Sequence, residues 1–167
     1  MQRINFQGIT FISDATLSTV SIKELEAIEA RLGFTFPGDY RAFISTLGFG
    51  ETEFHVQAFP PLDQNLFEPR DRLAEFWFWG RSSQILTQTH AVECVGFFGS
   101  ADGDTILFHP LDRNRWYILP HEEEEAILVQ SFQELSAYFL QRYDDLQAPY
   151  EFEPWSDINI HAATQDS

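Results

Sequence analysis

Two runs rich in β-branched and aromatic residues, separated by a cluster of glycine, serine and aspartate, constrain the fold of this chain more than any other feature. The runs are residues 92–98 and 104–108. The segment between them, residues 99–103, is typical of a tight turn in which Asp102 or Gly103 adopts a positive φ. We therefore predict a β-hairpin at the centre of the fold.

A third strand-like run extends this hairpin. Residues 115–119 follow the turn signal of residues 110–114, which predicts an antiparallel meander of three strands. Residues 53–57 alternate like a further short strand, and a proline pair soon after it ends the pattern. Weak alternation in residues 1–19 predicts one more strand or an arm. The rest of the chain must then cover this sheet.

Two helices are predicted directly before the strand at residues 53–57. Ser21 with Glu24 forms a capping box that begins the first helix, and Gly33 ends it. Pro37 suits the first turn of the second helix, which Gly48 ends. The two helices form an αα-hairpin. Apolar residues recur at helical spacing on one face of each helix: Ile22, Leu25, Ile28 and Leu32, then Tyr40, Phe43, Ile44 and Leu47.

A second capping box begins the last helix. Ser131 is followed by Glu134, and Phe132, Leu135, Phe139 and Tyr143 lie on the face predicted to point inward. From Asp144 onward, prolines and acidic residues predict an extended tail with Trp155 as its anchor. For the core as a whole we predict that nine residues are buried: Ile22, Leu25, Tyr40, Phe43, Val95, Phe97, Ile106, Phe132 and Phe139.

These elements predict an α+β fold: a mostly antiparallel sheet with a central meander, packed with an N-terminal αα-hairpin and a C-terminal helix. The length of 167 residues predicts a single domain, with its core at about residues 21–143 and an acidic tail at 144–167. No run approaches the roughly 18 apolar residues of a membrane helix. The amino terminus lacks a secretion signal, and so we expect a cytoplasmic protein with no membrane partner.

The net charge of −16 is the most unusual feature of the composition. With 10 basic residues that form no patch, direct binding of nucleic acid is disfavoured. The charge either keeps the protein soluble or attracts a basic partner, and composition does not decide between these. The acidic side chains that would meet such a partner are Glu122, Glu123, Glu124, Glu125, Asp144 and Asp145.

Aromatic residues provide the candidate anchors of such a contact. Residues 70–79 suit either a helix begun at Asp71 or a strand, and they end in four adjacent aromatics, Phe76 to Trp79. This cluster is either core or a platform for a ligand, and core is the commoner outcome. Because tight interfaces usually have a desolvated aromatic centre, we nominate Trp77, Trp79 and Trp116 as anchors, with a place in the core as the alternative for each.

The sequence shows no arrangement typical of an enzyme or a metal site. The five histidines (His55, His90, His109, His121 and His161) have no ligand-like spacing. The best enzyme-like group is Asp102, Asp104 and His109, but aspartates at such turns ordinarily bond their own backbone. The single cysteine, Cys94, excludes a disulfide framework, and we expect it to be buried. We therefore predict no catalytic residues, no metal and no cofactor.

Three segments, in this order, resemble the SUKH superfamily. Residues 29–44 resemble the E-x-x-L-G-x-x-L-P-x-D-Y helix pair, residues 96–104 its central hairpin, and residues 131–135 the start of its last helix. The resemblance implies an α+β fold without catalytic residues. The superfamily includes yeast cell-wall-assembly regulators, and its many bacterial members are immunity proteins that neutralise a cognate polymorphic toxin, often a nuclease.

We therefore expect a non-enzymatic immunity protein that binds a basic toxin through its acidic surface. A regulatory scaffold of the same fold and an unrecognised hydrolase are the alternatives. A toxin gene next to this one would favour the first over the second.

Overall fold

The computed structural model describes residues 1–156, and within them nine strands form one open sheet. The strands are β1 (Gln2–Phe6), β2 (Ile9–Ser13), β3 (Gly50–Thr52), β4 (Val56–Ala58), β5 (Val95–Ser100), β6 (Thr105–His109), β7 (Asp112–Leu119), β8 (Ile127–Val129) and β9 (Tyr150–Pro154). Across the sheet they follow the order β1-β2-β9-β3-β4-β5-β6-β7-β8. Only β2 and β9 pair in parallel. The predicted α+β fold with a mostly antiparallel sheet is confirmed.

The predicted hairpin and meander are β5, β6 and β7. Val95 lies opposite Phe108 in the hairpin, and Gly103 in its turn has a φ of +100°. All six residues of β5 are buried, as are the last four of both β6 and β7. Because successive side chains of a strand point to opposite faces, the meander is covered on both sides.

Five α-helices are found in the described residues, besides a short 3₁₀ helix (Gly80–Ser82): α1 (Ile22–Leu32), α2 (Gly38–Thr46), α3 (Asp63–Glu75), α4 (Gln88–Ala91) and α5 (Phe132–Leu140). The Ser21 hydroxyl accepts the Glu24 N–H and the Ser131 hydroxyl accepts the Glu134 N–H, each at 3.1 Å. The predicted capping box is complete at Ser21, but at the last helix the Glu134 carboxylate accepts the N–H of Gln130 in place of that of Ser131. Gly33 ends α1 with a φ of +82°. None of these helices, within residues 1–156, has the length and apolar character needed to cross a bilayer.

The core prediction is confirmed for eight of the nine residues, each at most 1% exposed. The prediction for Ile22 is wrong, because its side chain is 41% exposed. Ile22 occupies the first position of α1, and the buried face of the helix begins one turn later, at Leu25 and Ile28. Cys94 is buried as expected, and burial raises the pKa of its thiol to about 12.

The strand predicted at residues 53–57 is confirmed only for Val56 and Gln57, which lie in β4, whereas residues 53–55 form a turn between β3 and β4. β3 ends at Thr52 and β4 begins at Val56, and the two pair with each other. His55 adopts a φ of +68°, and its N–H donates to the Thr52 carbonyl at 2.8 Å. The alternation of the sequence was real, but Phe54 is buried from within a turn.

The segment after Asp144 adds a strand to the sheet. β9 lies between β2 and β3, and Phe152 is buried against Phe11 and Phe43. The sheet therefore extends beyond the predicted core of residues 21–143. Trp155 packs on Phe59, with ring centroids 5.9 Å apart, as expected of an anchor. The part of the predicted tail from residue 157 onward, including His161, lies outside the described residues.

The helix considered from Asp71 begins eight residues earlier, at Asp63, and includes Pro69. It packs closely on the sheet, because a Cβ placed on Gly96 of β5 would lie 2.9 Å from the Pro69 ring. After α3 the chain becomes extended at Phe76, with a φ of −141° and a ψ of 124°. The aromatic residues 76–79 follow the helix and belong to neither a helix nor a strand.

Candidate functional site

The four consecutive glutamates at residues 122–125, here called the acidic segment, form an exposed turn between β7 and β8. Two long-range hydrogen bonds fix its ends. The Trp79 indole N–H donates to the Pro120 carbonyl at 2.8 Å, and the Ala126 N–H donates to the Ser82 hydroxyl at 2.6 Å. Both Trp79 and Ser82 belong to the chain that follows α3. The structure thus joins two regions about 40 residues apart in sequence.

Residues 76–79, here called the aromatic segment, pass from surface to core: Phe76 is exposed, Trp77 and Phe78 are half-buried, and Trp79 is buried. Trp79 is 5% exposed, and its ring meets that of Trp77 edge-on at 5.4 Å. Phe76 is 59% exposed, and its ring stacks on Phe78 with centroids 6.3 Å apart and planes 12° apart. The chain is extended at Phe76 but not at Trp79, where φ is −100° and ψ is 40°. Phe76 and Phe78 are here called the aromatic pair, in which Phe76 is the exposed ring and Phe78 is half-buried.

The structure places two of the three nominated tryptophans in the core. Trp116 is 1% exposed, packs against Phe97 at 5.1 Å, and donates its indole N–H to the Arg113 carbonyl. Trp79 is also buried. Neither ring reaches the surface, so the core alternative holds for both. Trp77 is half-buried and is the nominated ring nearest to a surface role. Phe76 was missed as the exposed ring of the segment, and its spacing of two residues from Phe78 was the local signal for their contact.

The aromatic and acidic segments meet at a shallow depression. Its lining combines one aromatic ring, one guanidinium and four carboxylates: Phe78, Arg81, Glu122, Glu123, Glu124 and Glu125. The Arg81 Nε lies 2.8 Å from the Glu124 carboxylate. Asp144 and Asp145 are exposed in the turn after α5, outside this depression. Of the predicted acidic residues, the structure thus brings together the glutamates but not the two aspartates.

The predicted enzyme-like group is divided between two separate hydrogen-bond networks. The Asp104 side chain is fully buried and accepts hydrogen bonds from Arg142, Ser100 and His121. Burial alone would raise the pKa of the Asp104 carboxyl, but these hydrogen bonds outweigh it and hold that pKa well below its usual range. Asp102 is exposed two residues earlier. Asp104 is therefore a structural carboxylate that joins the β5–β6 turn to the end of α5.

His121 connects this buried carboxylate to the acidic segment. Its Nδ1 lies 3.0 Å from Asp104 and its Nε2 lies 3.3 Å from Glu122. The hydrogen bond to Asp104 raises the pKa of His121, against a smaller opposing effect of burial. Two carboxylates, one on each ring nitrogen, favour the imidazolium form. His121 thereby ties the first glutamate of the acidic segment to the fold.

A cluster of two imidazoles and one carboxylate was not predicted from sequence. His90, Glu93 and His109 place one potential ligand atom each within 4.8 Å of one another. This donor set suits Zn²⁺. Its only local signal was the H-x-x-E spacing from His90 to Glu93 at the end of the short helix α4, and His109 joins them from β6.

Both ring nitrogens of His109 in this cluster have hydrogen-bond partners without a metal. The Leu111 N–H donates to Nδ1 of His109, so the ring proton belongs on Nε2, which lies 3.0 Å from the Glu93 carboxylate. A metal on Nε2 would require that proton to move to Nδ1 and would break the bond from Leu111. The arrangement thus fits a hydrogen-bonded pair better than a metal centre, and the absence of a metal requirement stays a prediction.

Comparison with protein families gives one match, to the SMI1 / KNR4 family (SUKH-1), over residues 19–140. A comparison with curated proteins finds no match. The matched region contains all five helices and strands β3 to β8, whereas β1, β2 and β9, which form one side of the sheet, lie outside it. Because the match covers most of the chain, this protein belongs to the SMI1 / KNR4 family (SUKH-1).

Proposed function

We propose that this chain is a non-enzymatic immunity protein that neutralises a bacterial toxin by binding a basic surface on it, such as the substrate groove of a nuclease. Membership of the SMI1 / KNR4 family (SUKH-1) supports the general role, because resemblance to the bacterial members of the SUKH superfamily implies toxin immunity. The observation that carries the proposal for this chain is the junction of the acidic segment with the half-buried ring of Phe78, on which the exposed ring of Phe76 stacks.

This junction has the two properties that a tight and fast protein contact requires. Four exposed carboxylates beside one another create a negative field that accelerates encounter with a basic partner. The neighbouring aromatic pair provides apolar area that is desolvated on contact. Charge determines the rate of association, and the rings supply affinity.

The contacts of the candidate catalytic groups support a role without chemistry. The Asp104 carboxylate is occupied by Arg142, Ser100 and His121, and both ring nitrogens of His109 have partners. Burial raises the pKa of the Cys94 thiol to about 12, which disfavours the reactive thiolate at neutral pH. Each of these groups is used for structure.

The first test is protection. A candidate toxin, sought in the gene immediately upstream, is expressed in cells with and without this chain, and growth is measured. Survival only in the presence of the chain, with a stoichiometric complex recovered from the cells, is the expected result. Continued killing despite an abundant folded chain would remove the proposal.

The second test measures association with the purified toxin against ionic strength. We expect a rate approaching about 10⁸ M⁻¹s⁻¹ at low salt, falling as ions screen the charges. Changing all four glutamates of the acidic segment to glutamine should slow association markedly. A matched control changes four exposed acids elsewhere, with the same loss of charge: Asp14, Glu26, Glu151 and Glu153. Equal rates for both variants and no salt dependence would show that the acidic segment only keeps the protein soluble.

A further inference from the structure

The aromatic pair is an unusual surface feature because one of its rings is mostly exposed. Phe76 is 59% exposed, and Phe78 stacks on it with nearly parallel planes. A phenylalanine ring that is mostly in water gains free energy when a partner covers it. The backbone here is held by the buried Trp79 on one side and by the end of α3 on the other. The pair is therefore a fixed apolar patch, and its surroundings indicate what covers it.

Those surroundings are strongly negative, with one informative exception. The depression beside Phe78 is lined by the four glutamates of the acidic segment, and the cation in that lining is Arg81. The Arg81 Nε lies 2.8 Å from Glu124, while the Arg81 side chain remains 73% exposed. A guanidinium thus lies against a carboxylate beside an aromatic ring, in an open position.

We propose that the aromatic pair and the acidic segment form a docking surface for an arginine side chain of a basic partner protein, and that Arg81 occupies one of these carboxylates, that of Glu124, while the partner is absent. This inference rests on the proposed function, because it specifies the chemistry by which the toxin is held. The partner's arginine stacks on an exposed phenylalanine ring and donates to the glutamates.

The chemistry favours arginine over lysine. A guanidinium is planar, has five N–H donors, and is more weakly hydrated than an ammonium group. It stacks on an aromatic face and simultaneously donates two parallel hydrogen bonds to a carboxylate. A lysine ammonium offers a point charge without a stacking face. A surface that combines rings with carboxylates therefore discriminates between the two side chains, whereas a purely acidic surface does not.

An arginine of the partner can displace Arg81 from Glu124 at little cost, because the existing ion pair is exposed. The Arg81 side chain is 73% exposed and the Glu124 side chain is 47% exposed. Ion pairs of this kind contribute little to stability. Arg81 therefore screens the glutamates in the free protein without blocking them, and its removal should improve binding of an external arginine.

The test uses a defined probe with the full-length chain. The ¹⁵N-labelled protein is titrated with the blocked peptide acetyl-Gly-Arg-Gly-amide and, separately, with its lysine counterpart, and amide shifts are followed by NMR. We expect shifts concentrated at residues 76–81 and 122–125, with the arginine peptide binding several-fold more tightly. Arg81→Gln should tighten arginine binding by about two- to fivefold, the range expected when an exposed ion pair no longer competes.

The matched control is Arg115→Gln. It removes the same charge and also an exposed ion pair, that of Arg115 with Asp112 at 3.9 Å, but at the start of β7 and outside the depression. Equal effects of the two substitutions would reduce the result to net charge and overturn the proposal. Phe76→Ala, at an exposed position, should abolish the preference for arginine over lysine.

Equal affinity of the two peptides for the native chain, or shifts spread over the whole surface, would equally overturn the docking surface. The peptide experiment needs no toxin, so it is separable from the proposed function. Arginine-selective binding without protection of cells would keep the docking surface and remove the immunity role. Protection without arginine selectivity would keep the immunity role and remove this surface.

Discussion

The buried carboxylate of Asp104 provides the sharpest test of the fold. Its side chain has no exposure, and it accepts hydrogen bonds from two nitrogens of Arg142, at 2.8 and 3.3 Å. Ser100 and both the backbone N–H and Nδ1 of His121 donate as well. One side chain therefore holds the β5–β6 turn, the end of β7 and the segment after α5 together. The perturbation is Asp104→Asn, which keeps the shape and removes the charge.

The expected loss of stability follows from the partner that remains. Breaking a buried ion pair by removing one member costs about 3–5 kcal/mol, because the other charge is left without compensation. Arg142 is 27% exposed, so water stabilises part of its charge. We therefore expect a value near the lower end, about 3 kcal/mol. That is a large fraction of the roughly 5–15 kcal/mol by which domains are stable.

The dependence on pH gives a second, independent signature. The pKa of Asp104 is held below its usual value, so its contribution is present above about pH 3.9 and is lost as the pH falls through the folded-state pKa. The difference in stability between native protein and Asp104→Asn should therefore be full at pH 7 and shrink on acidification. A variant whose deficit came from poor packing alone would show no such change.

The assay is equilibrium unfolding in urea, followed by tryptophan fluorescence and far-UV circular dichroism. With slopes of about 1–3 kcal/mol/M, a loss of 3 kcal/mol moves the midpoint by ~1–3 M. Asp102→Asn is the control, since Asp102 is exposed in the same turn and its change should cost less than about 0.5 kcal/mol. A midpoint for Asp104→Asn close to that of the control would refute the structural role argued here.

Three further predictions concern the core, a histidine and a glycine. Phe43→Ala should cost about 3–5 kcal/mol in urea unfolding, because it deletes a ring that is 1% exposed; a cost as small as that of Phe76→Ala would contradict the packing. The pKa of His121 is raised by its hydrogen bond to a buried carboxylate, so His121→Gln should lower the melting temperature more at pH 5.5 than at pH 9, and a constant difference would argue against the contact. Gly48→Ala should destabilise more than Gly33→Ala in thermal unfolding: both glycines have positive φ, but a Cβ at Gly48 meets a backbone oxygen at 2.2 Å, and equal losses would exclude the clash.

The parts of the fold that sequence predicted are those with local signals. The helix starts at Ser21 and Ser131 depend on residues three positions apart, and the central hairpin depends on a turn of a few residues around Gly103. Such patterns are complete within one short window, and tertiary packing here agrees with them. Ile22 shows the limit of the approach, because helical spacing predicts a face but not where along the helix that face begins to be buried.

The order of the strands could not be predicted in the same way. β9 pairs Tyr150 with Phe11 on one side and Glu153 with Glu51 on the other, at separations of about 100 residues or more. Nothing within residues 150–154 specifies those partners. The prolines and acids that suggest a tail are compatible with a short strand flanked by turns, and only the buried ring of Phe152 distinguishes the two in space.

The candidate site was predicted in pieces and not as a whole. The run of glutamates is visible in the sequence, and so is the aromatic segment, but the contacts that join them link Trp79 with Pro120 and Ser82 with Ala126. The spacing of two residues indicates that Phe76 and Phe78 lie on one side of the chain. Which ring of the segment is buried depends on the hydrogen bond of Trp79 and on its neighbours in the core. Side-chain exposure at this site is therefore a tertiary property.

The way the acidic segment is held has an energetic consequence for its function. Four carboxylates in succession repel one another, and an unrestrained loop would spread them apart. Here both ends are fixed by hydrogen bonds, and His121 ties the first glutamate to the Asp104 network, so the repulsion is retained in the free protein. A bound cation relieves it. Changing all four glutamates to glutamine should therefore raise the melting temperature at low salt while slowing association with a basic partner, and added salt should reduce both differences. If the variant lost both stability and binding, the conformation of the acidic segment would depend on the glutamates themselves and not on the hydrogen bonds of Trp79 and Ser82.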